Sequence, residues 1–293
     1  HDDDVGGLQI PVDDSQRVGL TEGSRREPPF LTDADWGMAL SNNRTLTFVL
    51  DDDPWRADDD TDIEYIYINE LAEFGTTTLT PEQLRQAWID HINRFIWVSN
   101  EEARELMDRG ILPPSTGLAV ANPFSLRIDA QLTTEVFGAL TPGLPHAALE
   151  LADLPITTTA SSHAAHASQF HVVLYALAPV ADRSLTPEAR VRWLVESARP
   201  YLPDTSKAAD IVDTIYADYL ANPDPTDWER TRDLVYDRYQ LNATANGFRY
   251  LGWTESSVNF AGGVIALLYG QGDLAETIRI GSLTGWDSDN GTA

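Results

Sequence analysis

"ESSVNFAGGVIALLYGQGDLAETIRIGSLTGWDSDNG", residues 255–291, is the stretch on which the fold turns. It reads as two helices, about 255 to 270 and about 273 to 283, and the second runs directly into an acidic loop. In that loop Asp287 and Asp289 stand one residue apart, beside Ser288 and Asn290. Carboxylate, hydroxyl and amide oxygens gathered in this way are the donors that hard cations such as magnesium, manganese or calcium require. An EF-hand calcium loop does not fit, because its glycine falls one position later than Gly291.

The same chemistry occurs once more, far upstream, in "WRADDDTDIEY" at residues 55–65. Taken alone, Asp58, Asp59, Asp60 and Asp62 have two readings. Thr61 and Glu64 match a T-x-x-E capping box, and acidic residues suit the positive end of a helix. Alternatively, the carboxylates crowd together around a cation, in a site assembled from both acidic clusters.

The remainder of the chain predicts an all-α protein. Ile63, Ile66, Tyr67, Leu71 and Phe74 recur at helical spacing before Gly75. Thr80-Pro81-Glu82-Gln83 opens a second helix, running through Leu84, Trp88 and Ile92 toward Val98, and Ser99 is expected to cap a third that Gly110 ends. Further helices are expected at about 145–153, 164–178, 187–198, 206–221 and 227–238. Only "LTFVL" at 46–50 is strand-like. Residues 1–42 form an irregular segment in this reading and 43–293 one helical domain, without internal repeats or a Gly/Ser linker.

Composition narrows the chemistry. Forty-six acidic against 20 basic residues give a formal charge of −26, which repels nucleic acid and anionic membranes, so neither is expected as a partner. With no cysteine, disulfides, thiolate metal sites and a cysteine nucleophile are excluded. No run approaches the roughly 18 apolar residues of a membrane helix. The sequence begins at His1, which leaves open a removed leader or first helix, and with it the compartment.

In these motifs the chain resembles the ADP-ribosylglycohydrolases. Asp58-Asp59-Asp60-Thr61 is similar to that family's early T-D-D-T motif, and Gly285-Trp286-Asp287-Ser288-Asp289-Asn290 to its late G-G-D-T-D-T motif. The 255–291 stretch follows the family's E-S-V-P helix, its D-F-E helix and its metal loop in the same order. "ANPFSLRIDA" (121–130) resembles the G-N-G-x-x-M-R segment, "AAHASQFHVVLYALA" (164–178) the T-H helix, and "GLTEGSRRE" the segment carrying a glutamate beside the metals. Three positions depart from the pattern. Asp58 and Asn290 stand where the family has threonines, and Trp286 where it has glycine. The family's glycine-rich first helix and its helix after the last motif are not visible in the sequence, so either the fold is closed differently or the chain is a fragment, truncated at both ends.

The resemblance implies a metal-dependent hydrolase that cleaves an ADP-ribosyl N- or O-glycosidic bond of a modified protein or nucleotide sugar. It implies two magnesium ions, or manganese, held by Asp58, Asp59, Asp60, Asp287, Asp289 and Asn290. Glu22 and Asp60 would then serve catalysis, and Asn122, Arg127, His166 and Trp286 would line an ADP-ribose or ADP-ribosylated substrate, Arg127 meeting the diphosphate. Trp286 must either form a wall of the pocket near the surface or fill the pocket, with the wall the expectation taken, and His163 and His166, three apart, are placed to share a polar helix face. A cytoplasmic protein is the family expectation. The alternative function is a catalytically inactive, metal-stabilised structural or binding protein of the same fold, like the J1-type crystallins.

Overall fold

In the computed structural model, which describes residues 59–92 and 96–288, the acidic run leads straight into α1, Asp59–Phe74. The helix starts ahead of Thr61, so the capping box does not form: a threonine caps from an extended position before the helix, not from within its first turn. Instead the Thr61 N–H donates to Asp60 Oδ1 at 2.7 Å, and Glu64 Oε1 reaches across the fold to accept from the Val136 N–H at 3.2 Å. In α2, Pro81–His91, the expected box is present. The Gln83 N–H donates to Thr80 Oγ1, and Gln83 Oε1 accepts from the Thr80 N–H.

Two boundaries differ from expectation. α2 closes at His91, with Ile92 extended, and does not continue toward Val98. α3, Val98–Asp108, takes Trp97 as its cap without a side-chain bond, so Ser99 lies inside the helix, buried. Two one-turn helices, α4 (Asp129–Leu132) and α5 (Val136–Ala139), have no counterpart in the sequence reading, since four residues carry no measurable period. α6, Pro145–Thr159, runs well past residue 153, and α7 is Ser162–Leu177. α8, Pro187–Ala198, and α9, Lys207–Ala221, are capped by Thr186 and Ser206. α10, Trp228–Val235, passes into a π turn, Tyr236–Leu241. α11, Ser256–Gly270, and α12, Leu274–Leu283, complete the series, capped by Glu255 and Asp273.

The fold is all-α. Among the described residues no strand forms; Arg127 and Glu255 make a single antiparallel bridge. No described helix is long and apolar enough to cross a membrane. "LTFVL" and the boundary drawn at residue 42 lie outside the described residues.

α11 and α7 organise the packing. Thirteen of the 15 residues of α11 are buried, as a helix apolar on all sides must be. α7 stands between two apolar cores. Its Ala167, Phe170 and Val173 join Trp228, Tyr239, Phe260 and Ile265 on one side. Its Ala164, Val172 and Ala176 join Ile63, Leu84, Trp88 and Ile156 on the other. Gly138 in α5 lets that helix lie against α7, since a Cβ there would come within 2.2 Å of the Val172 carbonyl oxygen. The packing brings the N-terminal turns of α3, α4, α7 and α11 to the 122–128 loop.

Candidate active site

Asp60 is 5 % exposed and opens onto a cavity of about 240 Å³, lined also by Thr61, Glu64, Leu132, Glu135, Val136, Ala139 and Tyr175. Two further carboxyls in this wall are driven toward their protonated forms. Burial and then the charge of Glu64 raise Glu135 to about 8. Burial also raises Glu64, against the hydrogen bond from Val136.

Asp287, the described aspartate of the second acidic motif, is held by the first turn of α11. Asp287 is 5 % exposed, and its N–H donates to Asn259 Oδ1 at 2.9 Å. The Asn259 amide in turn donates to the carbonyls of Trp253 and Glu255, so one side chain pins the loop to the helix start. Gly285 (φ 93°) and Trp286 (φ 59°) are both left-handed, turning the chain sharply just before Asp287. Asp60's cavity and Asp287's loop are joined through α4. Leu132 lines the cavity, while the neighbouring Gln131 amide donates to Ser256 Oγ at 2.8 Å in the first turn of α11.

The expected substrate residues fall into two groups. Arg127 and His166 are half-buried, with polar atoms to spare: Arg127 Nε and His166 Nδ1 are shielded from solvent and have no hydrogen-bond partner among the described residues. Burial lowers the Arg127 pKa, opposed by Glu255, Asp129 and Tyr250. Burial and then His163 lower that of His166. The other two point inward. Asn122 is fully buried, its amide donating to the Ser99 carbonyl at 3.0 Å and its Oδ1 accepting from the Phe124 N–H at 3.0 Å, so it braces the loop instead of lining an open pocket. Trp286 is 6 % exposed, part of the core with Tyr239 and Phe260, and its indole N–H donates to Gln240 Oε1 at 2.8 Å. The exposed wall expected of Trp286 is thus replaced by core packing, because the left-handed turn swings the indole under the loop.

Glu22, Asp58, Asp289 and Asn290 lie outside the described residues, as does the side chain of Asp59. Among the described residues no three acidic or histidine side chains gather closely enough to hold a metal. The donors that are described, Asp60 and Asp287, are buried oxygens of the kind a hard cation takes, and on donor chemistry the set fits such an ion.

The structure adds residues that the sequence reading did not nominate. Glu255 is 1 % exposed and meets His163 Nε2, itself 4 % exposed, at 2.8 Å. Asp129 is buried, its pKa raised by that burial, and accepts from the Asn100 N–H at 3.0 Å. The signal for Glu255 was present as the acid leading E-S-S-V at a helix start. Nothing in the one-turn α4 marked Asp129.

Neither curated proteins nor solved structures give a match to the chain. The family model of the ADP-ribosylglycohydrolases matches residues 18–293, a span that includes both acidic motifs, the 122–128 loop and the first turns of α7 and α11. The chain belongs to the ADP-ribosylglycohydrolase family.

Proposed function

We propose that this protein is a metal-dependent hydrolase of ADP-ribosyl bonds, acting on an ADP-ribosylated protein or a nucleotide sugar. The family match over residues 18–293 carries the reading. The burial of Asp60 and Asp287 supports it, since buried carboxylate oxygens are the donors a hard cation takes. Asp58, Asp59, Asp60, Asp287, Asp289 and Asn290 would hold two magnesium ions, or manganese. When bound, such ions supply charge stabilisation and lower the pKa of a coordinated water.

The chain's own residues do the rest. Arg127 presents donors to a diphosphate, the one group of an ADP-ribosyl substrate that a guanidinium meets with paired hydrogen bonds. His166, kept toward its neutral form, offers a ring nitrogen to the ligand. Asn122 keeps the 122–128 loop in shape beneath Arg127. Asn259 fixes the turn that presents Asp287. Glu22 and Asp60 would orient the attacking water and offset positive charge as the glycosidic carbon becomes oxocarbenium-like.

The test is release of ADP-ribose from an ADP-ribosylated protein, followed by chromatography with magnesium and again with a chelator. Release in magnesium and none after chelation is the expected result. Release that survives chelation would overturn the metal dependence. Magnesium-dependent melting without release would identify a binding protein that has lost turnover.

A further inference from the structure

Taking Arg127 and His166 as ligand-facing, as in the function proposed above, we infer that Glu255 is a positioning residue. Its carboxylate fixes the imidazole of His163, while its backbone seats the Arg127 segment against the first turn of α11. The pairing is entirely internal and spans 92 residues, tying the start of α7 to the start of α11. Both carboxylate oxygens are committed. Oε1 faces His163 Nε2 at 2.8 Å, while Oε2 accepts from the Ser257 N–H at 2.9 Å and from the Ser257 hydroxyl. A carboxylate that accepts on both sides requires hydrogen on His163 Nε2, which leaves Nδ1 as the free nitrogen. That Nδ1 is buried and has no hydrogen-bond partner among the described residues, as is also true of His166 Nδ1 one turn along the same helix.

The backbone of Glu255 holds Arg127 from the other side. The two residues form the antiparallel bridge, flanked by the Ile128 N–H donating to the Thr254 carbonyl and the Ser256 N–H donating to the Leu126 carbonyl, each at 3.0 Å. The Arg127 guanidinium makes no ion pair within 4 Å among the described residues, and its Nε is unpartnered. It feels the charge of Glu255 without being consumed by it. Backbone locked and donors unspent is the arrangement of a cation held ready for an anion.

A purely structural pair would tolerate glutamine, and this one would not be neutral to it. The two Ser257 donors need an acceptor, so the Gln oxygen must face them and its NH₂ must face His163. The imidazole then has to accept at Nε2 and carry its hydrogen on Nδ1; losing the negative charge near Arg127 would by itself favour an anion there, so weaker binding in this variant reports the lost positioning.

The experiment compares wild type, Glu255→Gln and Glu255→Asp in the full chain, with ¹⁵N-histidine labelling for the His163 tautomer and calorimetry with ADP-ribose in magnesium. The expected result is hydrogen on Nε2 in wild type, hydrogen on Nδ1 in Glu255→Gln, and ADP-ribose binding weakened roughly 10-fold in Glu255→Gln, with partial recovery in Glu255→Asp. A wild-type His163 with its hydrogen on Nδ1 overturns the inference with no variant needed, which covers a Glu255→Gln chain that fails to fold. An unchanged tautomer, or a reversed tautomer with unchanged ADP-ribose affinity, overturns it equally. Wild type that binds no ADP-ribose refutes the proposed function instead, and the tautomer comparison still decides the role of Glu255.

Discussion

Replacing Trp286 with glycine separates a core residue from a pocket wall. The indole is 6 % exposed and packs with Tyr239 and Phe260, so its removal is a large-to-small core change of about 3 to 5 kcal/mol. The lost bond to Gln240 adds about 1 kcal/mol. Relief of the left-handed backbone at φ 59° returns about 1 to 2 kcal/mol, and the freer unfolded glycine takes back about 0.5 to 1. The net expectation is a loss of about 3 to 5 kcal/mol, a large share of the 5 to 15 kcal/mol by which proteins are ordinarily stable. Urea unfolding of wild type and Trp286→Gly, followed by circular dichroism, measures it directly. A loss under about 1 kcal/mol, with ADP-ribose binding weakened, would refute the packing argument and restore Trp286 as a wall.

Saturating magnesium at about 100 times its dissociation constant should stabilise wild type by about 2.7 kcal/mol and Asp287→Asn hardly at all, with thermal melting as the measure; equal shifts in the two would count against Asp287 as a ligand. Glu135, raised from 4.5 to about 8, binds its proton more tightly when folded, so it lowers stability as pH rises from about 4.5 to 8. His171, lowered by burial from 6.5 to about 4, binds its proton less tightly when folded, so it lowers stability as pH falls from about 6.5 to 4. The two slopes oppose each other between about 4.5 and 6.5, and Glu135→Gln should flatten the decline between pH 6.5 and 8 in denaturant titrations; an unaltered decline would place its cause elsewhere. Gly138→Ala, whose Cβ would meet backbone at 2.2 Å, should cost about 3 kcal/mol, against about 1 for Gly247→Ala, where only the φ of 78° is strained; equal costs would mean that α5 does not lie tight against α7.

The helices were legible wherever a cap and a period coincided. Thr80 caps the helix it was expected to open, and the helices expected from about 187, 206 and 273 begin beside the caps Thr186, Ser206 and Asp273, because capping is a local contest between a side chain and the first free N–H groups. Where long-range partners decide, the reading failed. Glu64 leaves its box for Val136, 72 residues away, and Ser99 is drawn into α3 as its carbonyl receives Asn122. The departure of Trp286 from the family pattern was visible in sequence, but the direction of its side chain depends on a left-handed turn that a tryptophan does not advertise.

The polar residues buried at the starts of α3, α4, α7 and α11 have a mundane explanation that accounts for only part of them. The first N–H groups of any helix lack intrahelical partners, and buried helix starts therefore recruit polar side chains. Asp129 serves the Asn100 N–H in this way, and Glu255 the Ser257 N–H. That requirement does not extend to Asn100 Oδ1, His163 Nδ1 or Arg127 Nε, three buried atoms with no hydrogen-bond partner among the described residues. Each buried polar atom left so costs about 1 to 3 kcal/mol, and an apolar side chain would avoid it. Arg127 Nε is a donor, whereas Asn100 Oδ1 and, in the tautomer inferred for it, His163 Nδ1 are acceptors, so what would satisfy them beyond helix capping is a group that both accepts and donates, as phosphates and hydroxyls together do.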